Sequence, residues 1–222
     1  MKVGTDAILL GAWAGNDLAN VKSILDVGTG TGIIALMMAQ RFPDASVTAI
    51  DIAPDAVEEA SENFRLSPCH DRCNATASAA QDFTGGPYDL IVSNPPWFRD
   101  SLKSDDQTRS AARHEDSLPS AELLESAARL LTAEGRFCVV IPFDDEGRFR
   151  NTAVNFGFHL RRCTTVRPMP EKPPKRSLLE FGFGLPDFVE TTDISVERQR
   201  HEYTKEYATL TRDFLLRAEK FT

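Results

Sequence analysis

Short apolar runs alternate with amphipathic stretches along the chain, a pattern typical of strands that alternate with helices. The predicted strands are 23–27, 45–50, 74–77, 90–92, 135–141, 158–166, 177–183 and 189–196. The predicted helices are 7–13, 33–41, 55–65, 119–131, 144–156 and 203–220. Thr5 or Asp6 would cap the first helix, since short polar side chains accept from free helix N–H groups. This order of elements, with a right-handed βαβ unit near its start, predicts an α/β fold.

The stretch from Asp89 to Trp97 predicts a buried strand that ends in a stiff turn. Each proline fixes its own φ and keeps the residue before it extended, so Asn94 and Pro95 are excluded from a helix. The Asn-Pro-Pro turn (residues 94–97) offers two acceptors, the Asn94 side-chain oxygen and the Pro95 carbonyl, beside the ring of Trp97. A flat base with an exocyclic amine fits these groups, because base–aromatic stacking is worth about 1–3 kcal/mol. A proline-stiffened loop without chemistry is the alternative interpretation.

A glycine run between the first strand and the next helix predicts a cofactor loop. Residues 26–32 read Asp-Val-Gly-Thr-Gly-Thr-Gly, and Asp51 ends the second strand. Glycines let the backbone pass close to a ligand, and an acidic residue at this strand end suits a ribose diol. We call residues 28–32 the glycine loop.

Length and composition indicate one α/β domain over residues 1–222. The chain is 41% hydrophobic and 26% charged, as is ordinary for a globular domain. No apolar run approaches a membrane span, so no membrane partner is expected. Of four cysteines, Cys69 and Cys73 have no second pair to complete a metal clip, and reduced thiols in a cytoplasmic protein are expected.

The net charge of −8 argues against a wholly basic nucleic-acid binder but leaves room for a local basic patch. The segment 161–176 holds six cations against the single acidic residue Glu171. They are Arg161, Arg162, Arg167, Lys172, Lys175 and Arg176. This pattern indicates either a patch that contacts nucleic acid or a solvated hairpin tip.

The glycine loop and the Asn-Pro-Pro turn together resemble the class I methyltransferases that use S-adenosylmethionine and methylate amines. The resemblance implies a Rossmann-like fold, with a mostly parallel seven-stranded sheet, an antiparallel hairpin at one edge and helices on both faces. It implies that Asp26, Gly28, Gly30 and Gly32 wrap the amino-acid end of the cofactor, that Asp51 holds the ribose, and that Ile52 touches the adenine. Asp82 lies where this fold reads the adenine amine, although a turn-forming aspartate before Gly85 explains the residue equally well.

Further segments resemble the bacterial tRNA1(Val) (adenine-37-N6)-methyltransferase family over nearly the whole chain. They are Lys2–Asp6, Leu10–Trp13, Ala112–His114 and Tyr203–Phe214. The resemblance implies methyl transfer to N6 of adenosine 37, beside the anticodon. It implies that Asn94 is the central catalytic residue and also contacts the cofactor, with Pro95, Pro96 and Trp97 completing the catalytic turn and Thr5 at the cofactor. The residues expected at the tRNA anticodon arm are Lys2, Arg113, Lys172, Lys175 and Arg176.

The sequence differs from that family in two respects, and it leaves several alternative functions open. The family carries a further segment ahead of Lys2, so we expect either that the true start lies upstream or that the cofactor pocket is less covered. Trp97 replaces the commoner Tyr or Phe. A protein-glutamine N5-methyltransferase or an rRNA guanine-N2-methyltransferase would use a similar turn, and a cofactor-binding RNA adaptor would be non-enzymatic. Residues 98–118 are expected to form a long polar loop in which His114 is solvated rather than a general base. We expect a monomer or weak dimer.

Overall fold

A computed structural model describes residues 4–97 and 120–215. The strands are β1 (Ser23–Val27), β2 (Ser46–Asp51), β3 (Cys73–Ala77), β4 (Tyr88–Ser93), β5 (Leu131–Pro142), β6 (Phe158–Arg167), β7 (Arg176–Phe183), β8 (Glu190–Ser195), β9 (Glu197–Gln199) and β10 (Glu202–Tyr203). The helices are α1 (Thr5–Trp13), α2 (Ile33–Arg41), α3 (Pro54–Arg65), α4 (Ser120–Leu130), α5 (Glu146–Val154) and α6 (Lys205–Thr211). A single 3₁₀ turn (Phe143–Asp145) joins β5 to α5.

The described strands β1 to β8 form one sheet in the order β3-β2-β1-β4-β5-β7-β6-β8. β7 pairs antiparallel with both β5 and β6, whereas every other neighbouring pair is parallel. The predicted fold class is therefore confirmed. The sheet has eight strands rather than seven, because β8 pairs with β6 from Arg162↔Glu190 to Arg167↔Ser195. Seven of the eight strands end at the same side of the sheet, which we call the carboxyl edge.

Helices cover both faces of the sheet, as predicted. Ile24 and Leu90 point into a core shared with α1, α2 and α3, whereas their neighbours Leu25 and Ile91 point into a core shared with α4 and α5. All four side chains are fully buried. Strands covered on both faces read as continuous apolar runs, which is why the central strands were visible in the sequence. None of the described helices is long and apolar enough to cross a membrane.

The structure corrects the interpretation of segment 161–176 as a six-cation patch. Arg162 is buried, its Nη2 lies 2.7 Å from Glu180 Oε2, and its guanidinium stacks 3.9 Å from the ring centroid of Trp13. Arg167 pairs with Asp193 at 3.3 Å. A cation that points into a sheet face is indistinguishable, in sequence, from one that points to solvent, because the partner lies on another strand.

Several predicted helix ends also shift. α1 begins at Thr5 with Gly4 as N-cap and no side-chain cap, so neither Thr5 nor Asp6 has the predicted capping role. α6 begins at Lys205, where Thr204 Oγ1 accepts from the Tyr207 N–H at 3.1 Å. The predicted apolar face of this helix packs on the core through Tyr207 and Leu210. Its predicted part beyond residue 215 and the predicted loop 98–118 with His114 lie outside the described residues.

Candidate active site

Four strand ends bring the predicted site residues to one stretch of the carboxyl edge. Val27, the last residue of β1, pairs with Ile50 on one side and Ser93 on the other. Asp51, at the end of β2, pairs with Ala77 at the end of β3. The glycine loop, Asp51, the turn after β3 and the Asn-Pro-Pro turn therefore emerge from four adjacent strands. In open α/β sheets, ligands bind outside the carboxyl ends of the strands.

The glycine loop folds back over the end of β2. Gly28, Gly30 and Gly32 have φ angles of 72°, 54° and 78°, a region that side chains disfavour. The Gly28 and Thr29 N–H groups donate to the Ile50 carbonyl at 2.9 and 3.0 Å. A Cβ on Gly28 would meet nothing within 4 Å, whereas a Cβ on Gly32 would lie 2.6 Å from the Phe64 ring. Gly28 thus faces open space that a ligand can enter, while Gly32 allows close packing of α3.

Asp51 joins the glycine loop to the start of α3. Its Oδ2 accepts from the Gly30 N–H at 2.9 Å, and its Oδ1 accepts from the Ala53 N–H at 3.0 Å. A carboxylate oxygen has two lone pairs, so each oxygen retains one for a hydroxyl group of a ligand. Ile52, which follows it, is 56% exposed and offers an apolar surface beside this carboxylate.

Asp26 lies fully buried beneath the glycine loop. Its Oδ2 accepts from Thr29 Oγ1 at 2.6 Å and from the Ala35 N–H at 3.2 Å, whereas its Oδ1 has no partner. Burial raises the pKa of Asp26 from 3.8 to about 7, against the opposing effect of the hydrogen bonds from Thr29 and Ala35. The site therefore disfavours negative charge on Asp26 until a positive charge is placed near it.

The Asn-Pro-Pro turn is fixed at both ends. Ser93 Oγ donates to the Val27 carbonyl at 2.8 Å, which ties the start of the turn to the base of the glycine loop. Trp97 Nε1–H donates to the Val140 carbonyl at 2.8 Å, one residue beyond the last β4–β5 pair, Ser93↔Val139. Between these anchors Asn94 is half-buried. This indole–carbonyl bond could not be predicted from the sequence, because Val140 lies 43 residues away along the chain.

The Trp97 ring packs edge-on against Phe149 of α5, with 5.8 Å between centroids and 76° between planes. The side chain is only partly buried. Pro95 is buried and Pro96 is exposed. Trp97, which replaces the Tyr or Phe commoner in the family that the sequence resembles, is therefore held by both its ring and its N–H group.

The remaining predicted cofactor residues, Asp82 and Thr5, are exposed. Asp82 is exposed in a turn in which its N–H donates to the Ala79 carbonyl at 3.2 Å. The turn is therefore observed, whereas the role of the Asp82 side chain, at the adenine or in the turn, stays a prediction. Thr5 is exposed at the start of α1. Among the residues that the structure describes, no group of three His, Cys, Asp or Glu side chains could hold a metal ion.

The residues predicted to contact tRNA lie partly at the same edge. Lys172 and Lys175 are exposed in the loop between β6 and β7, and β6 ends at the carboxyl edge. Arg176 is half-buried instead, with its Nε donating to Asp6 Oδ2 at 2.7 Å. Lys2 and Arg113 lie outside the described residues.

Comparisons with known proteins agree with this geometry. Residues 7–149 match the methyltransferase small domain family. A predicted O-methyltransferase from Agrobacterium tumefaciens has the same fold, with a TM-score of 0.66 and 16% identity over 94% of this chain and 96% of that one. A glycopeptide N-methyltransferase solved with S-adenosylmethionine gives a TM-score of 0.61 at 12% identity, over 82% of this chain and all of that one. The matched domain thus defines a methyltransferase, and its fold is the one that these two enzymes share.

Full-length relatives narrow the class to one family. A tRNA1(Val) (adenine(37)-N6)-methyltransferase of Phocaeicola vulgatus is 47% identical over 97% of this chain and 91% of its own length. The enzyme of the same name from Flavobacterium johnsoniae is 43% identical over 98% of this chain and 93% of its own length. The chain belongs to the tRNA1(Val) (adenine(37)-N6)-methyltransferase family.

Proposed function

We propose that the protein transfers a methyl group from S-adenosylmethionine to the exocyclic N6 amine of adenosine 37 in tRNA1(Val). The observation that carries the proposal is the position of the Asn-Pro-Pro turn, which is tied to the base of the glycine loop through Ser93 and Val27. Acceptors for an amine and a loop for a methyl donor thus meet at neighbouring strand ends. The names of the full-length relatives support the choice of substrate.

The residues of the glycine loop fit the donor that this reaction needs. S-adenosylmethionine supplies a methyl group already activated on a sulfonium, and it carries an ammonium, a ribose diol and an adenine. The open space beside Gly28 admits a ligand close to the backbone. The buried Asp26 carboxyl favours a cationic group above it, and the free lone pairs of Asp51 suit the diol.

The Asn-Pro-Pro turn would make the adenine amine a better nucleophile. The lone pair of an aryl amine is delocalised into the ring, which weakens its attack on carbon. Asn94 Oδ1 and the Pro95 carbonyl would accept the two N–H groups off the ring plane, which favours a pyramidal nitrogen and localises the pair. Acceptors that are held in place before the reaction act where the charge changes, which is where binding accelerates a step.

The bonds that change require alignment more than proton transfer. The amine nitrogen forms a bond to the methyl carbon as the carbon–sulfur bond breaks, and the sulfur keeps that electron pair. The nitrogen then carries a positive charge and loses its proton readily, so a strong base is unnecessary. Trp97, fixed by Val140 and Phe149, would hold the base in line for this attack.

The tRNA would approach the carboxyl edge, where Lys172 and Lys175 are exposed. Neither lysine makes an ion pair with another described residue, so both ammonium groups are available to phosphates. Arg176 would contribute less to tRNA binding than predicted from the sequence, because its Nε already donates to Asp6. A tRNA substrate also supports the expected cytoplasmic location.

The alternative substrates have less support. Protein glutamine and rRNA guanine both offer planar amines that would suit the turn, but the full-length relatives carry the name of the adenosine-specific enzyme. An adaptor that binds the cofactor without chemistry would not require Asn94 between two fixed anchors. These functions are the outcomes against which the proposal is tested.

The test is transfer of radiolabelled methyl groups from S-adenosylmethionine to tRNA from a strain that lacks its own enzyme. We expect N6-methyladenosine at position 37 with the wild-type chain. Asn94→Ala should lower the rate by about 10²–10³, the usual loss when a fixed acceptor is removed from a reacting group. The rate is compared at saturating cofactor, because Asn94 is also expected to contact the cofactor.

The matched control is Asn74→Ala, which removes an exposed asparagine from β3 outside the proposed site. It should methylate tRNA as the wild type does. Cofactor binding without methylation of any tRNA by the wild-type chain would contradict the proposed substrate and favour the adaptor.

A further inference from the structure

One guanidinium of α4 is bonded to three carbonyls of the turn that follows β3. Arg129 Nη1 donates to the Phe83 carbonyl at 2.7 Å, and Arg129 Nη2 donates to the carbonyls of Ala80 and Gln81 at 2.9 and 3.2 Å. These three residues surround Asp82, whose own side chain makes no hydrogen bond or ion pair with another described residue. Arg129 is thus a clamp on the backbone, and Asp82 is the free group that this clamp presents.

We propose that Arg129 is a positioning residue for the adenine end of the cofactor, acting through the conformation of turn 80–83. The inference rests on the proposed use of S-adenosylmethionine and on the prediction from sequence that Asp82 accepts the adenine amine. It adds a residue that lies in a different helix and does not touch the cofactor itself. Its chemistry is selective: a correctly placed Asp82 carboxylate accepts from an amine and repels a carbonyl oxygen in the same position.

The location of the turn explains why its shape matters. Ser78 N–H donates to the Asp51 carbonyl at 3.0 Å, so the turn starts directly beside the carboxylate expected to hold the ribose. Inside the turn the Ala79 carbonyl accepts from the N–H groups of both Asp82 and Phe83. Those two bonds close the turn but leave the Ala80 and Gln81 carbonyls to Arg129. Loss of the guanidinium would release the outer half of the turn, which carries Asp82.

The same contacts predict a small effect on stability. Arg129 and the turn are largely exposed, so water replaces the lost hydrogen bonds at little cost. Ala80, by contrast, is buried and Phe83 packs on the core, so both ends of the turn stay anchored without Arg129. An effect on the cofactor without an effect on the fold is therefore the expected signature of positioning.

The test compares binding of S-adenosylhomocysteine with binding of its deaminated analogue S-inosylhomocysteine, in which a carbonyl replaces the adenine amine. The wild type should prefer the adenosine compound. Arg129→Ala should weaken the binding of S-adenosylhomocysteine by about five- to tenfold and change the binding of S-inosylhomocysteine by less than about twofold. The preference for the adenosine compound is then largely lost. Arg129→Lys, which keeps a cation and a donor, should recover part of the preference.

Methylation kinetics provide a second readout. Arg129→Ala should raise KM for S-adenosylmethionine by a similar factor and leave kcat at saturating cofactor within about twofold. Asp82→Ala should show the same loss of preference, and the double variant should show no further loss, because both changes act on one contact.

Arg72→Ala is the matched control. Arg72 also donates to three backbone carbonyls, those of Ala39, Phe42 and Ala45, but it lies just before β3, at the opposite end of that strand. This variant should retain the wild-type preference for the adenosine compound.

Two results would overturn the inference. One is an Arg129→Ala variant that weakens both compounds equally, which would indicate a general structural role. The other is the absence of the preference in the wild type, or an unchanged preference in the Asp82→Ala variant. Failure of the proposed tRNA substrate is separate, since it would leave these binding measurements intact.

Discussion

At the residue scale, the buried carboxyl of Asp26 links the stability of the fold to pH. This carboxyl is fully buried, has one oxygen without a partner and has a pKa of about 7. This folded-state pKa is raised above the unfolded value of 3.8. Between pH 3.8 and about pH 7, the native state therefore holds a proton that the unfolded state has lost. The stability that Asp26 contributes is therefore complete at low pH and is lost as the pH rises through about 7.

Asp26→Asn isolates this effect. The variant should lack the pH dependence due to Asp26, so its free energy of unfolding relative to wild type should rise by about 1 kcal/mol per pH unit between about pH 5.5 and pH 7. Urea unfolding at several pH values measures this difference. The same variant should bind S-adenosylmethionine more weakly at about pH 8, because the cationic ligand loses its buried counter-charge. Identical pH profiles for the two proteins would contradict the assigned protonation of Asp26.

At the element scale, the Asn-Pro-Pro turn after β4 is positioned by the neighbouring strand β5, through a side-chain hydrogen bond beyond the end of the β4–β5 pairing. Trp97 reaches the Val140 carbonyl where the β4–β5 ladder ends, and Phe149 of α5 supports its ring. Trp97→Phe keeps an aromatic ring and removes the N–H donor. We expect kcat for tRNA methylation to fall by about tenfold, because the turn loses one of its two anchors and a small misplacement is costly in catalysis.

The melting temperature separates this prediction from a general loss of structure. Trp97→Phe should melt within a few degrees of wild type, since one part-buried hydrogen bond contributes about 1 kcal/mol. Phe149→Leu is the companion variant, which removes the ring contact and retains the indole bond. A Trp97→Phe enzyme with wild-type kcat would show that the ring alone positions the base.

The elements that could be predicted from sequence are those whose signal is local. β1 and α2 have the predicted ends, because an apolar run, three glycines and an amphipathic stretch follow one another without interruption. The glycine loop, Asp51 and the Asn-Pro-Pro turn were found for the same reason. The contacts that were missed join distant residues: Trp97 with Val140, Arg162 with Glu180, and Arg129 with turn 80–83. Periodicity and composition carry no information on such pairs, because they describe a residue and its neighbours along the chain and not its partner in space.

At the scale of the whole molecule, a chain of net charge −8 must bind a polyanion through a local surface. Lys172 and Lys175 lie at the carboxyl edge, so replacing both with Ala should weaken tRNA binding. The slope of log affinity against log salt should fall by between about 1 and 2, because up to two phosphate contacts are lost. Binding titrations at several salt concentrations measure this slope.

Lys22→Ala is the control for that charge change. Lys22 is exposed just before β1, at the opposite end of that strand from the glycine loop, and it pairs with Asp44 at 3.1 Å. Its removal should leave the salt slope unchanged. An equal fall in both proteins would indicate a general electrostatic effect and contradict a tRNA contact at Lys172 and Lys175.

The polar contacts of α1 have a consequence for synthesis on the ribosome. Trp13 Nε1–H donates to Thr164, 151 residues later, and Asp6 pairs with Arg176, 170 residues later. α1 leaves the exit tunnel before the strands of the sheet, but these partners are translated roughly 8 to 34 seconds afterwards at about 5–20 residues per second. A nascent chain arrested after β5 therefore holds the complete glycine loop and Asn-Pro-Pro turn, while Trp13 and Asp6 still lack these two partners. α1 therefore gains its polar contacts with the sheet only after β6 and β7 have been made.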